Sequence, residues 1–272
     1  MAAAPPSVPS FGSLLPPPPA ERRGIPLYYN KSEEEVRQDV YERYDELVAR
    51  QTALHLADAL HPGGVYPFQA LANYLTHPMC QVGREDVKVA DIGCSVGRLI
   101  GDAATAHPDW DCYGIDFSYQ MLRQARDYWL LGKELSPNLL RFGYPLTPLS
   151  GPQLPNLHLG LADAATLPFP DASLDLLWNT FLIDRLPDAF TAFDEWWRVL
   201  RPGGQLVTVS PLNFLRVEQW GRYHPPVKLL NYLLQRGWQL LDLTDPLILN
   251  EPMDRRGNQI VWHTWAVTLQ RP

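Results

Sequence analysis

The heptapeptide Asp91-Ile92-Gly93-Cys94-Ser95-Val96-Gly97 constrains this chain more than any other stretch. An apolar run enters it from Val87 and an amphipathic stretch leaves it from Arg98. That is the pattern of a strand, a tight turn and a helix start. A second apolar run ends in Gly114-Ile115-Asp116. A Gly-rich strand-to-helix turn followed by an acid at the end of the next strand is how α/β folds hold a nucleoside. The glycines let backbone approach the ligand, the helix N-terminus offers free N–H groups, and the acid accepts the ribose hydroxyls.

The surrounding pattern alternates. Strands are expected over 87–92, 112–116, 157–162, 174–179 and 205–210, with helices over 97–106, 119–131 and 187–200. The last helix starts with Pro187 and stops at Arg201-Pro202-Gly203-Gly204, with Phe190, Phe193, Trp197 and Leu200 as its apolar stripe. Such alternation builds βαβ units and a mostly parallel sheet. Two further strand-like stretches, 238–243 and 259–269, are joined by a link containing Pro246, Pro252 and Gly257, which discourages a crossover helix. Without a crossover they pair antiparallel. The expected fold is α/β: a Rossmann-like seven-stranded, mostly parallel sheet with an antiparallel C-terminal hairpin. Ahead of it, 31–60 reads as helical from an N-cap at Ser32, with Val36, Val40, Tyr44 and Leu47 at helical spacing, and 67–75 as a second short helix. One domain over 25–272 follows, with an N-terminal helical lid (25–85) on a core (86–272). Residues 1–24, with Pro16 to Pro19 in a row, read as a disordered tail, and the five prolines of 133–155 mark an inserted surface loop.

Composition narrows the function. The net charge is −7 and no Lys/Arg cluster is present, which disfavours nucleic acid as a partner. Cys80, Cys94 and Cys112 are odd in number and lack CxxC spacing, and the seven histidines show no ligand spacing. No metal site, no disulfide framework and a cytoplasmic location are expected. Cys94 has no paired histidine and reads as a small packing residue. No run approaches the ~20 apolar residues of a membrane span. The expected partner is a small molecule.

Asp91-x-Gly93-x-Ser95-x-Gly97 resembles the D-x-G-x-G-x-G motif of class I S-adenosylmethionine (SAM) dependent methyltransferases of the type 11-like group, with Ser95 in place of the middle glycine. Gly114-Ile115-Asp116-Phe117-Ser118-x-x-Met121-Leu122, Asp163-Ala164 followed by Leu167-Pro168-Phe169-Pro170-Asp171, and Leu200-Arg201-Pro202-Gly203-Gly204 resemble the later motifs in order. The terminal hairpin is also that family's arrangement. The resemblance implies SAM as cofactor. Gly93, Ser95 and Gly97 would close under its methionine and ribose, with Asp91 beneath the amino group and Asp116 on both ribose hydroxyls. Phe117 and Met121 would border the adenine, and Asp163 and Ala164 would bond it. Asn179 would lie near the sulfonium, and Tyr29, from the lid, would bond the methionine carboxylate or serve as packing.

The segments Ile183-Asp184-Arg185-Leu186, Ser210-Pro211-Leu212 and Trp262-His263-Thr264-Trp265 resemble methyltransferases acting on imidazole nitrogens, such as mercaptohistidine and carnosine N-methyltransferases. This implies Asp184 as the catalytic residue. Its carboxylate would accept the ring N–H, fix the tautomer and sharpen the other nitrogen as nucleophile. Asn213-Phe214-Leu215 depart from that group, which has a histidine there. Asp184 could also pair with Arg185 or cap the helix near Pro187. O-methylation of a phenolic or polyketide-like metabolite, and a non-catalytic SAM-binding scaffold, are the alternatives.

Overall fold

The computed structural model describes residues 14–81 and 86–272. Residues 1–13 of the Pro-rich tail and the Cys80 side chain lie outside that description. The chain runs through β1 (Ala20–Arg22), β2 (Ile25–Leu27), α1 (Glu33–Gln38), α2 (Val40–Arg43), α3 (Asp45–Leu56), α4 (Gln69–Gln81), β3 (Lys88–Ile92), α5 (Arg98–Ala106), β4 (Asp111–Asp116) and α6 (Tyr119–Ala125). It continues with β5 (Glu134–Leu135), β6 (Leu149–Ser150), β7 (Leu157–Leu161), β8 (Leu174–Thr180), α7 (Ala189–Val199), β9 (Leu200–Ser210), α8 (Val217–Tyr223), α9 (Val227–Gln235), β10 (Gln239–Pro252) and β11 (Gln259–Gln270).

The main sheet has the order β1-β2-β7-β4-β3-β8-β9-β11-β10. Strands β7, β4, β3, β8 and β9 are parallel, and β11 is antiparallel to both β9 and β10. The expected seven strands are therefore present, and β1 and β2 extend the β7 edge. Part of the segment read as a tail is thus a hairpin. Ile25 is fully buried, Tyr28 Oη donates to Pro16 O at 2.8 Å, and Leu14 N donates to Tyr113 Oη at 3.0 Å. Prolines alone do not exclude order when one apolar residue and two hydroxyls tie a segment down. The 133–155 insert forms only the small β5–β6 pair.

Both faces of the sheet are covered, so the central strands are apolar on each side. Val89, Cys112, Leu157, Trp178 and Val207 face a core shared with α3 to α6. Ala90, Tyr113, Leu177, Leu206 and Trp265 face the other, closed by α7, α8 and α9. The sequence reading missed α8 and α9. It also stopped the penultimate strand before Pro246. β10 is an edge strand, where proline forfeits no ladder bond, and its register slips between Thr244 and Leu247.

Two helical expectations are corrected. The lid segment breaks into α1, α2 and α3 because Asp39 and Tyr44 adopt extended backbone. Asp39 Oδ1 takes the Tyr41 N–H at 2.9 Å and its Oδ2 takes Lys31 Nζ at 2.7 Å, a side-chain competition that stops helix propagation. Val36, Val40 and Tyr44 stay exposed in consequence. Helix α7 starts at Ala189 with Asp188 as N-cap, its Oδ1 accepting from Phe190 N at 2.9 Å. Trp196, not Trp197, is its fully buried tryptophan, and Trp196 Nε1 donates to Ala164 O at 3.0 Å.

Candidate functional site

The turn after β3 is built from three left-handed residues, Gly93 (φ 81°), Ser95 (φ 52°) and Gly97 (φ 76°). Gly93 N and Cys94 N both donate to Ile115 O, at 2.7 and 3.0 Å, which draws the turn onto β4. A Cβ on Gly97 would lie 3.1 Å from the Trp129 ring, whose Nε1 donates to Val96 O. Ser95 keeps the backbone path of a glycine although left-handed geometry costs an ordinary residue about 1–2 kcal/mol. Its N–H donates to Asp116 Oδ2 at 2.7 Å, while Asp116 Oδ1 accepts from Ser118 N at 2.7 Å. Burial pushes the Asp116 carboxyl up and these two N–H groups pull it down. Each oxygen has capacity for a further hydrogen bond.

Asp91 is 1 % exposed and its Oδ1 has no hydrogen-bond partner. Burial pushes its pKa up to about 7; the neighbouring Trp178 indole opposes the shift and the Asp116 charge adds to it. Asn179 is fully buried, with Nδ2 donating to Thr208 Oγ1 at 2.9 Å and Oδ1 unpartnered. It follows Trp178, so its side chain takes the opposite face from Asp91, and its backbone alone can reach a cofactor. Asp163 caps its own turn: Oδ1 accepts from Ala165 N at 2.8 Å. Phe117 is half-buried, with the Tyr29 ring 5.2 Å away and Lys31 Nζ 4.4 Å above it.

Two expectations change here. Met121 is 2 % exposed and packs in the core, so it backs the turn instead of bordering a cleft. Tyr29 does lie beside Phe117, but its hydroxyl donates to Glu35 Oε1 at 2.7 Å and is not free for a methionine carboxylate.

An unpartnered buried acceptor at the end of the first parallel strand, beside a left-handed turn clasped to the next strand's acid, suits the amino and ribose groups of SAM. Residues 90–208 match the model of the methyltransferase domain family. Over those residues the chain is similar to SAM-dependent methyltransferases. Among curated relatives, aklanonic acid methyltransferase DauC of Streptomyces sp. (strain C5) is 31% identical over 126 residues, which is 46% of this chain and 48% of that protein. Demethylmenaquinone methyltransferase of Staphylococcus haemolyticus is 30% identical over 143 residues, 53% of this chain and 55% of that protein. The chain thus spans about half the length of these relatives. A solved SAM-dependent methyltransferase from Aquifex aeolicus, at 14% identity, shares the fold with a TM-score of 0.50 over 85% of this chain and 100% of that one.

Asp184 is fully buried. Its Oδ1 accepts from Ser210 Oγ at 2.9 Å and its Oδ2 from Asn213 N at 3.1 Å. Arg185 lies 3.7 Å away, and burial raises the carboxyl pKa. Asp184 therefore joins the turn after β8 to the end of β9 and the loop that follows it, with one hydrogen bond on each oxygen. Strand alternation also splits the segment Trp262-His263-Thr264-Trp265. His263 and Trp265 line a cavity of about 190 Å³ with Trp220 and His224. Trp262 points to the other face, packing edge-on to Phe181 with centroids 5.6 Å apart.

Phe181 is the residue the sequence reading missed. It follows β8 directly, holds a left-handed backbone (φ 55°) and stacks on Phe68 at 5.7 Å. Phe181, Trp262, Tyr29 and Tyr41 all pack against the same core as Trp178. Nothing local in the sequence marks a left-handed phenylalanine, whose contacts come from distant segments. Below it, Glu251 accepts from Trp262 Nε1 at 2.9 Å and from Arg50 at 2.6 Å.

Proposed function

We propose that this chain transfers a methyl group from SAM to a small, ring-bearing acceptor. The observation that carries this is the orphaned Asp91 Oδ1 beside the clasp of Ser95 and Asp116. A buried acceptor without a donor calls for a bound one, and the cofactor's amino group is of the right type. In this reading Asp91 accepts that amino group, the Gly93–Gly97 turn lies under the methionine and ribose, and Asp116 adds the ribose hydroxyls to the two N–H groups it already holds. Asp163 and the Ala164 N–H face the adenine, with Phe117 alongside. Bound SAM supplies an electrophilic methyl; the chain's part is to orient the acceptor, take up its proton and exclude water.

The aromatic wall of Phe181, Trp262 and Phe68 supports a planar acceptor, and it favours O-methylation of a phenolic or polyketide-like metabolite. Aklanonic acid and demethylmenaquinone, in the names of the relatives, are small molecules too. N-methylation of an imidazole takes second place, because Asp184 is fully buried and both its oxygens already accept a bond from the chain.

Calorimetry with S-adenosylhomocysteine and with NAD tests the cofactor. Binding of the first and not the second is expected, and Asp116→Ala weakens it at least about tenfold, as loss of charge-assisted ribose bonds requires. Absence of S-adenosylhomocysteine binding rejects the function. Mass spectrometry for a gain of one CH2 unit across phenols, aromatic acids and azoles then separates the acceptors, and binding without any turnover would point to the scaffold alternative.

A further inference from the structure

Two irregularities of the backbone meet at one cavity. In the β10–β11 ladder Thr244 pairs with Ala266 and Leu247 with Thr264, so Asp245 and Pro246 together stand opposite Trp265. Such a bulge re-aims a side chain, and Thr264 Oγ1 holds it by donating to Leu247 O at 2.7 Å. Just past β9, Leu212 has a left-handed backbone (φ 53°), and its N–H donates to Ser210 Oγ at 3.1 Å. Leu212, Asp245 and Trp265 all line the same cavity of about 190 Å³. One water needs only about 10–15 Å³ of such space, so the cavity has room for a small organic molecule.

Its lining is aromatic with a single acid. Helix α8 and the residue that ends it contribute Trp220 and His224, whose ring centroids lie 5.4 Å apart. The Trp220 indole is fixed by its Nε1, which donates to Phe214 O at 2.8 Å. His263 and Trp265 come from one face of β11, the face opposite Trp262. The cavity is therefore separate from the wall that Phe181 and Trp262 form. Asp245 is the one carboxylate of the lining, and no Lys or Arg belongs to it. Among the described residues, nothing pairs with the Asp245 carboxylate.

We propose that this cavity binds a protonated arylalkylamine, its ring among the aromatic side chains and its ammonium paired with Asp245. A cation is attracted by the ring faces and by the carboxylate together. An anion would meet Asp245 without a compensating charge, and a neutral ring would cover that carboxylate without pairing it, at the cost of its desolvation. The site stands whether or not the chain transfers methyl groups.

The test titrates tryptamine and tryptophol, its neutral hydroxyl counterpart, into the full chain by calorimetry at neutral pH. Tryptamine is expected to bind at least about tenfold tighter. Asp245→Asn should erase that preference, Asp245→Glu should retain part of it, and Trp220→Ala should weaken both probes. Asp245 is exposed on an edge strand, so its asparagine variant should melt with the parent and bind S-adenosylhomocysteine equally well. Equal binding of the two probes, binding of neither, or a preference that survives Asp245→Asn overturns the proposal. Failure of the parent chain to bind S-adenosylhomocysteine rejects methyl transfer alone, and the two indoles still read the amine site.

Discussion

The Ser95 N–H and the Asp116 carboxylate are 2.7 Å apart, and this bond ties the Gly-rich turn to the end of the neighbouring strand. It orients the acid that would hold the ribose and fixes Ser95, the one non-glycine among the turn's three left-handed residues. The two ends of the cofactor motif are a single mechanical unit.

Ser95→Gly tests the cost of that geometry. Glycine removes about 1–2 kcal/mol of steric strain but adds about 0.5–1 kcal/mol of unfolded-state entropy. The variant should melt at the same temperature as the parent or a few degrees higher. Ser95→Val, β-branched in a left-handed position, should melt clearly lower. Thermal unfolding of the three proteins decides it, and a Ser95→Val variant as stable as the parent contradicts the strain.

Asp91→Asn should separate stability from binding. The folded pKa of Asp91 lies near 7, above its ordinary value of 3.8. A carboxyl raised on folding contributes stability that is complete below the unfolded pKa and is lost as pH rises through the folded one. At about pH 8 Asp91 is ionised and costs the empty protein a few kcal/mol, so the asparagine variant should be the more stable there and equal to the parent near pH 4. S-adenosylhomocysteine affinity should move the other way, with a loss of about tenfold or more at pH 8 that shrinks toward pH 5.5, where the parent carboxyl is already neutral. Melting curves and calorimetry across that range check both signs.

Asp184→Ala should act on the fold. Removing the carboxylate leaves the Ser210 hydroxyl and the Asn213 N–H buried without their acceptor, a loss of about 2–4 kcal/mol. Asp184→Asn should lose less, since its amide oxygen can still accept one of the two bonds. Melting temperature should fall in that order whether or not an acceptor is present. A variant that melts like the parent but turns over slowly would return Asp184 to the role of orienting an acceptor.

The turn, its acid and the terminal hairpin were legible because glycine placement, strand ends and the lack of a crossover are local signals. Asp91, Gly93, Ser95, Gly97 and Asp116 stand together as the spacing implied. Asp184 was not legible, because its surroundings come from Ser210 and Asn213, on another strand's loop, and a motif cannot report burial. The broken lid was hidden because apolar periodicity does not report that Asp39 takes the Tyr41 N–H on one oxygen and Lys31 Nζ on the other. Tyr29 sits where the resemblance put it, yet its hydroxyl is taken by Glu35, a neighbour that helical periodicity treats as a surface residue.

Phe181 is where acceptor recognition should be most sensitive. Its ring is held between the stacked Phe68 and the edge of Trp262, and its backbone is forced left-handed, where a bulky residue is a genuine outlier. Strain of about 1–3 kcal/mol persists only where the surroundings over-determine it, and here the turn it opens carries Leu182 onto Gly93. Phe181→Asn tolerates the backbone but deletes the ring. The variant should keep S-adenosylhomocysteine affinity within about twofold, and its KM for an aromatic acceptor should rise about tenfold or more, the loss of one ring–ring contact and its buried area. Phe181→Tyr keeps the wall and should restore most of the affinity. Steady-state kinetics beside calorimetry separates these effects: an unchanged KM in Phe181→Asn would remove Phe181 from the acceptor site, whereas a matching loss of cofactor affinity would make it a support of the glycine turn.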